Sequence, residues 1–282
     1  MVLESILNPL KIREHPLEFS LIGFVTTIIS FYLSFLVFLD GAPFLALILI
    51  MFGALPTLYV GLQNEHAMEL YLKSEWRILK KHGQYITMIG SYFLGVFLAF
   101  ALLVVINPVS VNEVMFEPQV KAVNGLNNHV NGHITSKQKT SFILLNNMRV
   151  LLFTICFSFL YGAGAIFIIT WNISTVGMAT GAALLKNMVI FNSVGLSASN
   201  LPLMVGAVTH PFLRYMVHGV PELLGYFIGG LAGALISKAV IHDTLNNKET
   251  LLDIFNVIAL AVVIIFVSAF IEVYLSQKLF ML

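Results

Sequence analysis

The sequence predicts an all-α fold, a polytopic helical integral membrane protein with about six transmembrane helices, and three observations predict it. Of 282 residues, 58% are hydrophobic and only 10% charged, where a soluble domain carries about 25% charged residues. Mean hydropathy is +0.90. The apolar residues fall in runs of roughly 20, the length that crosses a hydrocarbon core about 30 Å thick. A formal net charge of +1 leaves no basic footprint for nucleic acid, so the expected partners are the lipid bilayer and other membrane-embedded chains. The whole chain, 1–282, reads as a single transmembrane domain.

Taken in order, residues 1–18 predict a short interfacial N-terminal helix. Val2, Leu3, Ile6, Leu7 and Leu10 form its apolar side, and Asn8-Pro9 and His15-Pro16 punctuate it. The charged residues Lys11, Arg13, Glu14 and Glu18 argue against a cleaved signal peptide. A first span runs from about Phe19 to Leu39, and the turn Asp40-Gly-Ala-Pro43 leads into a second that ends near Leu62. Residues 63–85 are the most charged stretch and predict a cytoplasmic amphipathic segment, with Lys73, Arg77, Lys80 and Lys81 near anionic headgroups. A helical extension of the flanking spans is the alternative there. The third span is Ile86 to Ile106, and 107–140 is an external, polar loop in which His129 and His133 are solvated.

A fourth span starts near Ser141 and runs toward Thr170. Residues 174–209 are apolar but interrupted by Gly177, Gly181, Lys186, Asn192, Gly195, Asn200 and Pro202. Neither half reaches spanning length, so the expectation is a re-entrant pair of half-helices sheltered by protein, with one tilted span as the alternative. Asn172-Ile-Ser174 matches a glycosylation sequon but falls at the end of a span. The last two spans are about Phe212 to Ile241 and Ile254 to Tyr274. The single cysteine, Cys156, is expected as a small core residue. Basic residues weight the N-terminal side toward the cytoplasm, which predicts a multi-pass protein of the cell (plasma) membrane with cytoplasmic N- and C-termini.

The chemistry concentrates in one stretch. His210, Arg214, His218 and Glu222 recur every fourth residue, so on a helix they form a polar stripe that winds by about 40° per step. Such groups in a span are costly unless they face protein or water. Gly219 and Pro221 predict a helix break, with Glu222 in the first turn of a new helix, where the macrodipole favours a carboxylate. An unpaired Glu is expensive in lipid, and Arg149, Arg214 or the amides of Asn146 and Asn147 are its expected partners. Gly225, Gly229 and Gly233 form a small-residue face for close helix packing.

Three readings of the stripe compete. Zinc at His218 and Glu222 is opposed by Arg214 and by the lack of an HExxH pattern, so neither metal nor cofactor is expected. Proton or ion handling would use the His218/Glu222 cavity. A structural network of Asn146, Asn147, Arg149, His218 and Glu222 is the third. Gly195-Leu-Ser197-Ala-Ser199 ahead of His210 and His218 offers only a faint hint of an intramembrane hydrolase.

Several of these residues carry a resemblance. Asn146-Asn147, the Tyr161-Gly-Ala-Gly run, Trp171-Asn-Ile-Ser-Thr-Val-Gly and the element His218-Gly-Val-Pro-Glu222 with its glycine-rich tail resemble the stage II sporulation protein M family. The stretch Asn8-Pro-Leu-Lys-Ile-Arg-Glu-His-Pro is similar to its archaeal-type members. The resemblance implies a membrane scaffold, which in spore formers positions cell-wall hydrolases during engulfment. The expected function is accordingly a non-enzymatic membrane organiser acting as a homo-oligomer. A transporter or channel is the alternative, and an intramembrane hydrolase is third.

Overall fold

The computed structural model describes residues 16–38, 40–69, 75–130, 136–161, 164–194 and 201–276, and these are helical with short turns and no strand. The helices in order are α1 (Pro16–Val37), α2 (Ala42–Glu69), α3 (Glu75–Ile106), α4 (Val109–Met115), α5 (Glu117–Val130), α6 (Ser136–Tyr161), α7 (Gly164–Val194), α8 (Leu201–Ile241) and α9 (Lys248–Phe270). A π-helical turn, Ile271–Ser276, follows α9. Among the described residues six helices are long and apolar enough to cross a membrane, in α1, α3, α6, α7, α8 and α9. The all-α polytopic class is therefore as the composition predicts. The chain divides into two compact units, Met1–Pro118 and Gln119–Leu282.

In the first unit α1 and α3 approach at backbone distance. A Cβ on Gly23 would collide with the Tyr92 carbonyl, and one on Gly95 with the Ser20 carbonyl. Twelve residues further along both helices Tyr32 donates to the Asn107 side-chain oxygen at 2.9 Å, so the two helices run parallel. The Tyr92 hydroxyl donates to the Ile50 carbonyl of α2 at 2.8 Å. Phe116, between α4 and α5, stacks on Phe31 and Phe100.

Four stretches differ from the sequence reading. Residues 63–69 and 75–85 continue α2 and α3, which is the alternative weighed for the charged 63–85 segment rather than a separate surface helix; 70–74 lie outside the described residues, as do 1–15. The 107–140 connection is largely α4 and α5. Pro108 stands at the N-cap of α4, while Glu117 and Pro118 open α5, where an acidic side chain and a missing N–H are both favourable. Buried Met115, Phe116 and Gln119 then fix those helices in place. His129 lies in α5, and His133 and Asn131-Gly132 are outside the described residues.

The third difference is the largest. The fourth span ends at Tyr161, and 174–209 is no re-entrant pair: 174–194 complete α7, a crossing in its own right, and 201–209 begin α8. The interrupting Gly177 and Gly181 do not stop a helix in a bilayer, where an unbonded backbone costs more than a glycine's lost propensity. Asn172 consequently sits inside α7 and donates to the Ile168 carbonyl at 2.8 Å, which removes the sequon from consideration. Fourth, Cys156 is exposed on the outer face of α6 beside Leu152, Phe153 and Leu160 rather than in the core.

The second unit is arranged around α8. Gly225 faces Ile265 of α9, Gly229 faces Leu151 of α6, Gly230 faces Ala165 of α7, and Gly233 faces the Ile155 carbonyl and Ser158 of α6. The Leu151–Gly229 and Ile155–Gly233 contacts advance by four on both helices, so α6 and α8 are parallel. Ser158 closes the contact by donating to the Gly230 carbonyl at 2.6 Å.

These glycines differ in what they would tolerate. At Gly229 an added Cβ meets the end of a leucine side chain, which can turn aside, whereas at Gly233 it meets backbone; nothing lies within 4 Å at Gly219. Gly233→Ala should therefore destabilise by about 1–3 kcal/mol. Gly219→Ala should be neutral or stabilise by up to roughly 1 kcal/mol through helix propensity. Thermal unfolding of the two variants in one detergent checks the ordering, and equal stabilities would show that α8 does not abut α6 at Gly233.

Candidate functional site

The polar stripe lies in the middle of α8, which is continuous through both Pro211 and Pro221. The helix break expected at Gly219 and Pro221 does not occur. Each proline lacks an N–H and leaves a carbonyl four residues earlier without its bond. Pro211 frees the Ala207 carbonyl, and Asn187 of α7 donates to it at 3.0 Å. Pro221 frees the Val217 carbonyl, and beside it Ser268 of α9 donates to the His218 carbonyl at 2.8 Å. At Pro211 a neighbouring helix thus satisfies the freed carbonyl, at Pro221 another bonds to the carbonyl beside the freed one, and the helix persists. Because α8 does not restart at Pro221, Glu222 has no helix N-terminus to stabilise it.

Glu222 instead accepts a hydrogen bond at 2.6 Å from the hydroxyl of Tyr226, one turn further along the stripe. Tyr226 is fully buried. Arg149 and Arg214, the expected arginine partners, are both exposed. Asn146 is half-buried and donates to the Asn147 side-chain oxygen at 3.3 Å. Asn147 is 3% exposed, and its own amide nitrogen has no hydrogen-bond partner. His210 and His218 are half-buried, and His218 lies 6.2 Å from the Tyr215 ring, centre to centre. The Gly195–Ser199 segment is outside the described residues.

Two residues absent from the sequence reading belong to this region. Tyr226 simply continues the four-residue repeat 210, 214, 218, 222, so extending the stripe by one step would have found it. Glu272, in the π-helical turn, is close enough to interact electrostatically with both Glu222 and Lys139. A lone carboxylate in the apolar run 254–274 was the available signal. The π geometry was not legible, although such turns commonly mark functional positions.

These features define a class: a polytopic helical membrane protein whose longest helix carries a sheltered carboxylate and is held by glycine contacts to its neighbours. Residues 91–277 match the model of the family described as stage II sporulation protein M. The chain belongs to that family. No curated protein and no solved structure matches it. The family match covers the second half of α3 and all of the second unit to the π-turn, including every stripe and glycine-face residue named above.

Removing the Tyr226 hydroxyl isolates its role. Tyr226→Phe should cost about 1–3 kcal/mol, since it leaves the Glu222 carboxylate without its donor. Glu222→Leu removes the buried carboxylate but leaves the Tyr226 hydroxyl without its acceptor, and should cost no more than that if the carboxylate is a burden to the fold. Chemical denaturation in mixed micelles measures both, and a Tyr226→Phe protein as stable as wild type would show that the bond contributes nothing.

Proposed function

We propose that this chain is a non-enzymatic membrane organiser, a homo-oligomeric scaffold that holds partner proteins or membrane shape in place. The observation that carries this reading is the clamping of α8. Its glycines bring α6, α7 and α9 to within side-chain or backbone contact on three sides. In lipid such packing is the main force holding helices together. Contacts this close resist the sliding that alternating access demands, and a stiff bundle suits a protein whose output is position. Membership in the sporulation family supports the same reading. Lipid-facing Leu152, Phe153, Leu160, Phe255, Val263 and Phe266 supply apolar surface through which copies can associate.

The membrane is the plasma membrane and the N-terminus is cytoplasmic, as Lys11, Arg13, Lys73, Arg77, Lys80 and Lys81 favour. With α6, α7, α8 and α9 each crossing, the ends of the second unit lie on one side. With α2 returning the chain between the parallel α1 and α3, the start of α6 and the end of α9 fall on the external side, in place of the cytoplasmic C-terminus that a re-entrant pair would give.

Two measurements test this. Reconstituted in lipid nanodiscs, the chain should give a discrete mass that is a multiple of its 31.2 kDa, and a monomer at every concentration would remove the homo-oligomer. Single cysteines at Lys73, Lys137 and Lys278 in a Cys156→Ala background should label from the inside, the outside and the outside respectively. Labelling of Lys73 and Lys137 from one side would overturn the orientation.

A further inference from the structure

The outer face of α6 carries a charge where a lipid-facing helix should carry none. Leu145, Arg149, Leu152, Phe153, Cys156 and Leu160 are all exposed, and at 3.6 residues per turn they fall within an arc of about 100°. Five of the six suit hydrocarbon. Arg149 does not, and it is the central residue of the span Gln138–Leu160, eleven residues from either end. That is about 16 Å of helix, or half of a hydrocarbon core roughly 30 Å thick. Arginines near a helix end snorkel to the headgroups, but one at this depth is too far from them. Among the described residues no hydrogen bond or ion pair holds Arg149.

The chain's own carboxylates do not lie at this depth. The apolar lengths of α1, α2, α3 and α7 contain none beyond Glu18 at the very start of α1. In the second unit Leu151 meets Gly229, while Ala261 and Ile265 of α9 meet Gly225. Arg149 is therefore level with Phe227 of α8 and about Ala261 of α9. Asp253 and Glu272 of α9 are then about 12 and 16 Å away along the helix axes, toward opposite ends. Glu222 is held by the buried Tyr226. A second copy would bring this same surface and no carboxylate at the required depth. Two copies meeting through α6 about a two-fold axis would also set Arg149 against Arg149, where like charges repel. The face of α9 with Phe255, Val263 and Phe266 remains for copies to share.

We propose that the outer face of α6 is the docking site for one transmembrane helix of a different protein, a helix that carries an Asp or Glu near mid-bilayer to pair with Arg149. A guanidinium unpaired in hydrocarbon is costly, and a carboxylate from a partner removes that cost while satisfying its own. Leu145, Leu152 and Phe153 pack around the pair and keep water from it. The site gives the chemistry of a partner that the organiser would hold, and it rests on that reading.

The test places the full-length protein in phosphatidylcholine vesicles with a synthetic probe, a lysine-flanked helix of about 20 leucines bearing one central Glu. The same helix without the Glu is the control. Energy transfer from a dye on a cysteine at Lys137, in the Cys156→Ala background, to an acceptor on the helix measures association. The Glu helix should bind roughly 5–30-fold more tightly than the control, and Arg149→Leu should make the two equal. Arg149→Leu should keep the wild-type Tm or raise it, because no bond within the chain is lost. Equal binding of both helices to the wild-type protein, or a preference that survives Arg149→Leu, overturns the proposal. A lower Tm in Arg149→Leu would show that the charge is paired within its own chain, and a smaller mass in nanodiscs that a second copy covers it. Loss of the preference when phosphatidylglycerol replaces part of the lipid would show that it reaches a headgroup; each of these also overturns the proposal. If the preference is missing while the nanodisc mass stays a multiple of the chain's, this site falls and the organiser reading stands. A monomer at every concentration removes the homo-oligomer and leaves the probe result as it is.

Discussion

A bilayer offers no water to the backbone, and the rest of this structure depends on that constraint. Every carbonyl that loses its helical partner must find another inside the protein. Along α8, Asn187 does this for Ala207, while Ser268 and Ser158 add bonds from neighbouring helices to the His218 and Gly230 carbonyls. Tyr92 makes the equivalent bond to Ile50 in the first unit. Each donor sits on a different helix from its acceptor, so these bonds also fix which helices are neighbours. Polar residues that look like interruptions in the sequence are what allow prolines to lie inside the longest helix.

Close packing follows from the same absence of water. Helices in lipid gain little from hiding apolar side chains from one another, so contact area and shape decide their association. The chain meets this with glycines at crossing points: Gly23 and Gly95 between α1 and α3, and Gly225, Gly229 and Gly233 around α8. Three glycines at four-residue spacing do not stay on one face of α8. The winding of that row, about 40° per step, distributes it instead between α9 and α6. One short motif thereby organises most of the second unit.

The candidate site is a consequence of this arrangement. α6 and α8 run parallel because α7 crosses between them in the chain, and this sets Asn147 level with Gly225, about one turn along α8 from Glu222. The π-helical turn after α9 brings Glu272 toward the same place. A carboxylate in a membrane helix is usually read as half of an ion pair, yet here the arginines face outward and a tyrosine supplies the hydrogen bond.

The sequence by itself determined the class of protein, most of the span positions, the family and the helix on which the polar residues lie. Those follow from hydropathy, four-residue spacing and local motifs, all of which are properties of a continuous stretch of chain. It could not decide whether glycines and prolines end a helix. Asn187 takes up the carbonyl that Pro211 frees and Ser268 bonds next to the one that Pro221 frees, and only packing brings them there. For the same reason 174–209 reads as two half-helices in sequence and folds as parts of two long ones. The partner of Glu222 was likewise decided by tertiary structure, because the direction in which Arg149, Arg214 and Tyr226 point depends on which faces of α6 and α8 are buried.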